Sequence, residues 1–185
     1  MLDPALLAPE QVRPLRRAEY DRLVDLGYFE DERLELLRGV LVEMSPQGAP
    51  HANAPARLMK RLILALGDRA EVRAHSPLGL GEWSEPEPDI AVVAPGDYSR
   101  EHPTSALLVV EAADSSLRKD RRIKAELYAE HGIPEYWIVN LVERIVEVHT
   151  LPAGGRYTSI ATRGPGEALS PAAFPDISVP VSELF

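Results

Sequence analysis

The stretch "ALLVVEAADSSLRKDRRIKAELYAEHGIPEYWIVN", residues 106–140, decides the fold. It opens on a near-continuous apolar run, "ALLVV", the pattern of a strand buried on both faces and hence of a sheet centre. From Asp120 the run "DRRIKAELYAEHG" carries Ile123, Leu127 and Tyr128 at i, i+4 and i+5, with an acid near its start and His131-Gly132 at its end. That pattern predicts a helix whose apolar face is made by those three residues. "EYWIVN" then returns to aromatic and β-branched residues. A helix between two strands implies a mixed α/β chain.

The flanking segments extend the same architecture. Upstream, "AEVRAH" (70–75) and "DIAVV" (89–93) read as strands, the second ended by Pro95-Gly96. "HANAPARLMKRLILALGD" (51–68) places Leu58, Leu62, Ile63 and Leu66 on one helical face before Gly67 stops it. "RLELLRGVLVEM" (33–44) sets an Arg38-Gly39 pair between two segments of strand-like alternation, Leu34/Leu36 and Val40/Val42, and so predicts a hairpin. "LRRAEYDRLVDLGYF" (15–29) is a first helix, and residues 1–14, with three prolines, form an extended arm. Downstream, "RIVEVHT" (144–150) makes a second hairpin with "EYWIVN", "GGRYTSIAT" (154–162) adds a strand, and "FPDISVPVSELF" (174–185) is a proline-punctuated edge. The turn cluster "SPQGAP" (45–50) separates hairpin from helix. No repeat or linker divides the chain, so residues 1–185 are expected to form a single domain.

Composition narrows the chemistry. With 185 residues and 45% apolar content the chain has enough material for one core. The absence of cysteine excludes disulfides, cysteine-zinc sites and thiol nucleophiles, so any metal must sit on oxygen or imidazole ligands. No apolar run approaches the ~18–20 residues of a membrane span, and the first residues lack a signal-peptide pattern, so a cytoplasmic protein without membrane partners is expected. A net charge of −9 suits a broad nucleic-acid grip poorly. Arg118, Lys119, Arg121 and Arg122 form the one local basic run that could hold a phosphate backbone; equally, they could pair with acids elsewhere. Neither a P-loop nor a Gly-x-Ser-x-Gly elbow is present.

Two acids stand at the ends of central strands. Asp89 opens "DIAVV", and Glu111 follows four consecutive buried-type residues. Converging carboxylates repel, so such a pair is costly unless a cation lies between them, and Mg2+ is the hard ion that takes one or two carboxylates plus water. Lys124, one of three lysines, lies thirteen residues beyond Glu111; it could orient a metal-bound water or neutralise charge developing on a phosphate, or could simply be a solvated helix lysine. Tyr128, Tyr136 and Trp137 fall where core packing is commoner than base stacking. His75, His102, His131 and His149 lack metal-ligand spacing.

The order "RLELLRGVLVEMSP", then His51 opening a helix, "EPDIAVV", "LVVEAADSS", "DRRIKAELYAEHGIPEYWIVN" and a terminal "ELF" resembles a large bacterial family of restriction-endonuclease type within the PD-(D/E)XK nuclease superfamily. The similarity runs from about the first helix to Phe185. It implies a restriction-endonuclease-like core, α/β (mixed α+β), with a mixed central sheet flanked by helices, β-hairpins, and an active site at one end of the strands. Pro88-Asp89 would match the "PD" of the signature and Glu111 its second acid. The two would bind Mg2+, or Mn2+ in its place, with the backbone carbonyl of Ala112, for hydrolysis of a DNA phosphodiester.

The usual signature has a lysine two residues after the second acid, where this chain has Ala113. Members of the family resemble variants in which the lysine has moved to the following helix, which would make Lys124 the replacement. Glu35 and His51 match recurrent positions of the family pattern and could lie near the metal. Nucleases of this type often pair subunits, so a homo-oligomer is expected. The alternative is a non-catalytic module of the same fold that binds nucleic acid or protein.

Overall fold

The computed structural model describes residues 11–44 and 48–185. Residues 1–10 of the expected arm and 45–47 of the turn cluster lie outside the described residues. The chain divides into two compact units, Met1–Ser45 with Gly79–Pro86, and Pro46–Leu78 with Glu87–Phe185.

In the smaller unit, helix α1 (Arg17–Asp25) begins where the Glu19 carboxylate accepts the Arg16 backbone N–H at 3.0 Å, satisfying one donor the helix leaves over. Strands β1 (Leu34–Leu37) and β2 (Val40–Glu43) pair antiparallel. Between them Arg38 and Gly39 both take positive φ, 51° and 79°, as a type I′ hairpin turn demands. Leu36 also exchanges two backbone hydrogen bonds with Glu85, at 3.2 and 2.7 Å, so β1 has neighbours on both edges. Glu35, Leu36 and Leu37 are buried in succession, so both faces of β1 are covered, while Val40 on β2 is exposed. The expected Leu34/Leu36 and Val40/Val42 alternation is therefore lost.

The larger unit is built on a six-stranded mixed sheet in chain order: β3 (Glu71–Ala74), β4 (Ile90–Val93), β5 (Leu108–Ala113), β6 (Glu135–Asn140), β7 (Ile145–Ala153) and β8 (Arg156–Arg163). Only β5 and β6 run parallel, because the chain between them crosses over through a helical segment; every other pair is antiparallel. β4, β5 and β6 are buried along their whole length, as their unbroken apolar runs require.

Helix α2 (Ala49–Leu66) lays Ala54, Leu58, Leu62 and Leu66 into a core shared with Ile90, Val92, Val110, Ala112, Trp137 and Val139. Ile63, predicted on that face, is 47% exposed. The i, i+4, i+8 row of Leu58, Leu62 and Leu66 already fills the seam, and Ile63 sits one step around the helix from it.

The crossover is made of α3 (Leu117–Lys119), a π-helical turn (Asp120–Lys124) and α4 (Ala125–Glu130). Here too the expected face shifts: Ile123 is 44% exposed, and Asp120, Lys124, Leu127 and Tyr128 turn inward. The tail does not extend the main sheet. β9 (Ala168–Leu169) and β10 (Val179–Pro180) pair with each other, while Ile177, Val179, Val181 and Leu184 close the core beside α2. No helix among the described residues is long and apolar enough to cross a membrane.

Candidate active site

The register of β4 on β5 pairs Ile90 with Val110. Asp89 directly precedes β4 and Glu111 directly follows Val110, so both acids lie at the same end of this strand pair. Alternation along β5 sends Val110 and Ala112 into the core against α2 and turns Glu111 to the opposite face. There the crossover helix meets it: Lys124 Nζ donates to Glu111 Oε1 at 2.7 Å and the Tyr128 hydroxyl to the same oxygen at 2.9 Å. Asp89 is fixed from the strand itself, its Oδ2 accepting the backbone N–H of Ala112 at 2.7 Å.

These groups are deeply sequestered. Asp89 and Glu111 are each 5% exposed and Lys124 only 3%. A solvated helix lysine is thereby ruled out, since burying an ammonium costs several kcal/mol without a partner of opposite charge. In an extended strand the N–H and C=O of one residue point to the same side. The Ala112 carbonyl therefore projects, like its N–H, toward Asp89. Asp89, Glu111 and the Ala112 carbonyl carry oxygen donors only, the type of ligand that suits a hard divalent cation. Among the described residues no three or more His, Asp or Glu side chains cluster with metal-holding geometry.

The other candidates are distributed differently. Ala113, where the signature lysine would stand, is fully buried. Glu35 belongs to the smaller unit and is 1% exposed, so it is not the solvated hairpin acid its position suggests. His51, the third residue of α2, acts on Asp114 just beyond β5. The Ser115 backbone N–H and hydroxyl hold the Asp114 carboxyl below its usual range, and the nearby His51 adds to that. The His51 Nδ1 atom is buried without a hydrogen-bond partner among the described residues.

Of the basic run, Arg121 is committed to a two-pronged pair with Glu147 on β7, with Nε at 3.0 and 3.1 Å and Nη2 at 2.5 Å from the carboxylate. Arg118 and Arg122 are exposed, and Lys119 is half-buried.

Two contacts were not foreseen. Tyr128 reaches Glu111 rather than serving only as core, and the signal was present as the i, i+4 spacing of Lys124 and Tyr128. His75, set aside for lack of ligand spacing, lies with Nδ1 3.5 Å from Asp89 Oδ1, and its backbone N–H donates to the Asp89 backbone carbonyl at 3.3 Å. Its φ of 46° is a strained value for histidine, and nothing in the sequence pattern marks it. Tyr136 and Trp137 are fully buried. Tyr136 packs between Tyr128 and Tyr157, with ring centroids 5.0 and 6.2 Å away.

Comparison with known proteins agrees with this architecture. No curated protein matches the chain. Among solved structures, a protein from Anabaena variabilis ATCC 29413 described as a "putative nuclease belonging to DUF820" superposes with a TM-score of 0.74 at 15% identity, over 93% of this chain and 98% of that one. That likeness establishes a shared fold. A family model, Uma2, described as "Putative restriction endonuclease", matches residues 17–182. Matched over nearly its whole length, the chain belongs to the Uma2 family.

Proposed function

We propose that this protein is a metal-dependent endonuclease that hydrolyses DNA phosphodiester bonds, with Asp89, Glu111 and Lys124 as its working groups. The observation that carries the reading is the pair of buried contacts on neighbouring residues of β5: Lys124 drawn onto Glu111, and Asp89 tied to the backbone N–H of Ala112. Asp89, Glu111 and the Ala112 carbonyl would hold Mg2+, or Mn2+ in its place. When bound, such an ion polarises a phosphoryl oxygen and makes water a better nucleophile at neutral pH.

The chain's own groups do the rest. The Ala112 N–H locks the Asp89 carboxylate in one orientation, so no reorganisation is needed when substrate arrives. Lys124 offers a buried positive charge beside the place where negative charge develops on the phosphate. It stands in for the lysine absent at Ala113, reaching the acid from the crossover helix. Arg118, Lys119 and Arg122 offer a small basic surface for the DNA backbone, compatible with a chain of net charge −9.

The test is incubation of the purified protein with plasmid and single-stranded DNA in Mg2+, Mn2+ or EDTA, beside Asp89→Asn, Glu111→Gln and Lys124→Ala variants. Cutting should require metal and disappear in all three variants. Intact DNA throughout, together with no calorimetric signal for Mg2+ or Mn2+, would replace the enzyme with a non-catalytic binding module.

A further inference from the structure

We infer that Tyr128 is a positioning residue for the Glu111 carboxylate, and that its hydroxyl sets the affinity of the proposed site for its divalent cation. The inference rests on the metal-site reading above and adds a residue to it. Glu111 has three rotatable side-chain bonds, and fixing them costs conformational freedom. An ammonium on a flexible four-carbon stem supplies charge but little direction. The tyrosine supplies direction: its ring has two torsions, is fully buried, and is held by Tyr136 at a centroid distance of 5.0 Å and an interplanar angle of 59°.

Its hydroxyl therefore arrives at Glu111 Oε1 from a fixed point, 2.9 Å away, while Lys124 reaches the same oxygen at 2.7 Å. Two donors on one oxygen define the plane of the carboxylate in advance. Partners of this kind behind a metal ligand typically change affinity about 10–100-fold when removed.

The α4 geometry explains why both donors converge. Lys124 ends the π-helical turn and Tyr128 lies four residues on, so the two side chains stack along one stripe facing β5. Turns of this type recur where a helix must aim a functional side chain.

The experiment measures Mn2+ binding to the full chain by calorimetry, with thermal melting alongside, for wild type, Tyr128→Phe and Tyr157→Phe. The Tyr157 hydroxyl is an apt comparison because it makes a similar buried bond, to the Ile133 carbonyl at 2.9 Å, in the same aromatic cluster. Tyr128→Phe should weaken Mn2+ binding about tenfold or more, whereas Tyr157→Phe should stay within about twofold of wild type at a comparable loss of melting temperature. Equal Mn2+ affinity in wild type and Tyr128→Phe would overturn the positioning role alone, as would equal weakening in both variants. A wild-type protein that takes up no Mn2+ would overturn the metal site and, with it, this role.

Discussion

Glu85 gives the smaller unit a pH-dependent stability. Its carboxyl is pushed up from 4.5 to about 8, chiefly by burial and then by the neighbouring Asp21; Arg17 pulls the other way but does not win. Arg17 Nη1 stands 3.8 Å from both carboxylates. Between pH 4.5 and about 8 the folded chain keeps a proton that the unfolded chain has released, so raising the pH favours unfolding. The stabilisation is complete below pH 4.5 and is lost as the pH climbs through about 8.

At 1.36 kcal/mol per pKa unit the ceiling is about 5 kcal/mol. Arg17 and Asp21 have side chains 30% and 39% exposed, and water screens what they contribute. We therefore expect about 2 kcal/mol. Glu85→Gln keeps the shape and the donor toward Asp21 but cannot ionise. In urea unfolding followed by tryptophan fluorescence, with Trp83 two residues from the site, wild type should lose that increment between pH 5 and pH 9 and the variant should not. The two proteins should match at pH 5 and diverge at pH 9, the variant being the more stable. Parallel stability profiles across this range would refute the reasoning.

Arg121 and its neighbours separate structure from binding. Arg121→Ala should cost about 1 kcal/mol, because Glu147 loses its two-pronged partner although the guanidinium is part-exposed, and urea titration would reveal it. For the DNA binding proposed above, the same variant should barely change affinity, whereas Arg118→Ala or Arg122→Ala should each reduce its salt dependence by about one ion without altering stability. On α2, Leu62→Ala should destabilise by about 2–5 kcal/mol and Ile63→Ala by about 0.5 kcal/mol or less, as urea midpoints would report; comparable losses would contradict the packing described.

Which features were legible in the sequence follows from the range of the interactions involved. The strands β4, β5 and β6, the Arg38-Gly39 hairpin turn and the stop of α2 before Gly67 come from near-neighbour effects: apolar continuity, positive φ and the end of a periodic run. They could be read directly. Helix faces could not be fixed to one residue, since the apolar count around α2 and α4 leaves a choice that only the opposing sheet makes; Ile63 and Ile123 lost that choice. The tail illustrates the same limit, because Val179 pairs with Leu169 rather than with the sheet edge.

For the candidate site, residue types made Asp89 and Glu111 conspicuous in one dimension, Glu111 as a carboxylate after an unbroken apolar run, whereas Lys124 stood open between a working group and a solvated helix lysine until the family resemblance singled it out. Everything that depends on distance across the fold was decided by tertiary structure. Folding brings Lys124 and Tyr128 onto one oxygen of Glu111, brings His75 to Asp89, and takes Arg121 out of the basic run by giving it to Glu147. The physical reason is that a sequence displays propensity and charge locally, whereas burial and pairing belong to the three-dimensional neighbour, and for these groups that neighbour lies 13 to 26 residues away along the chain.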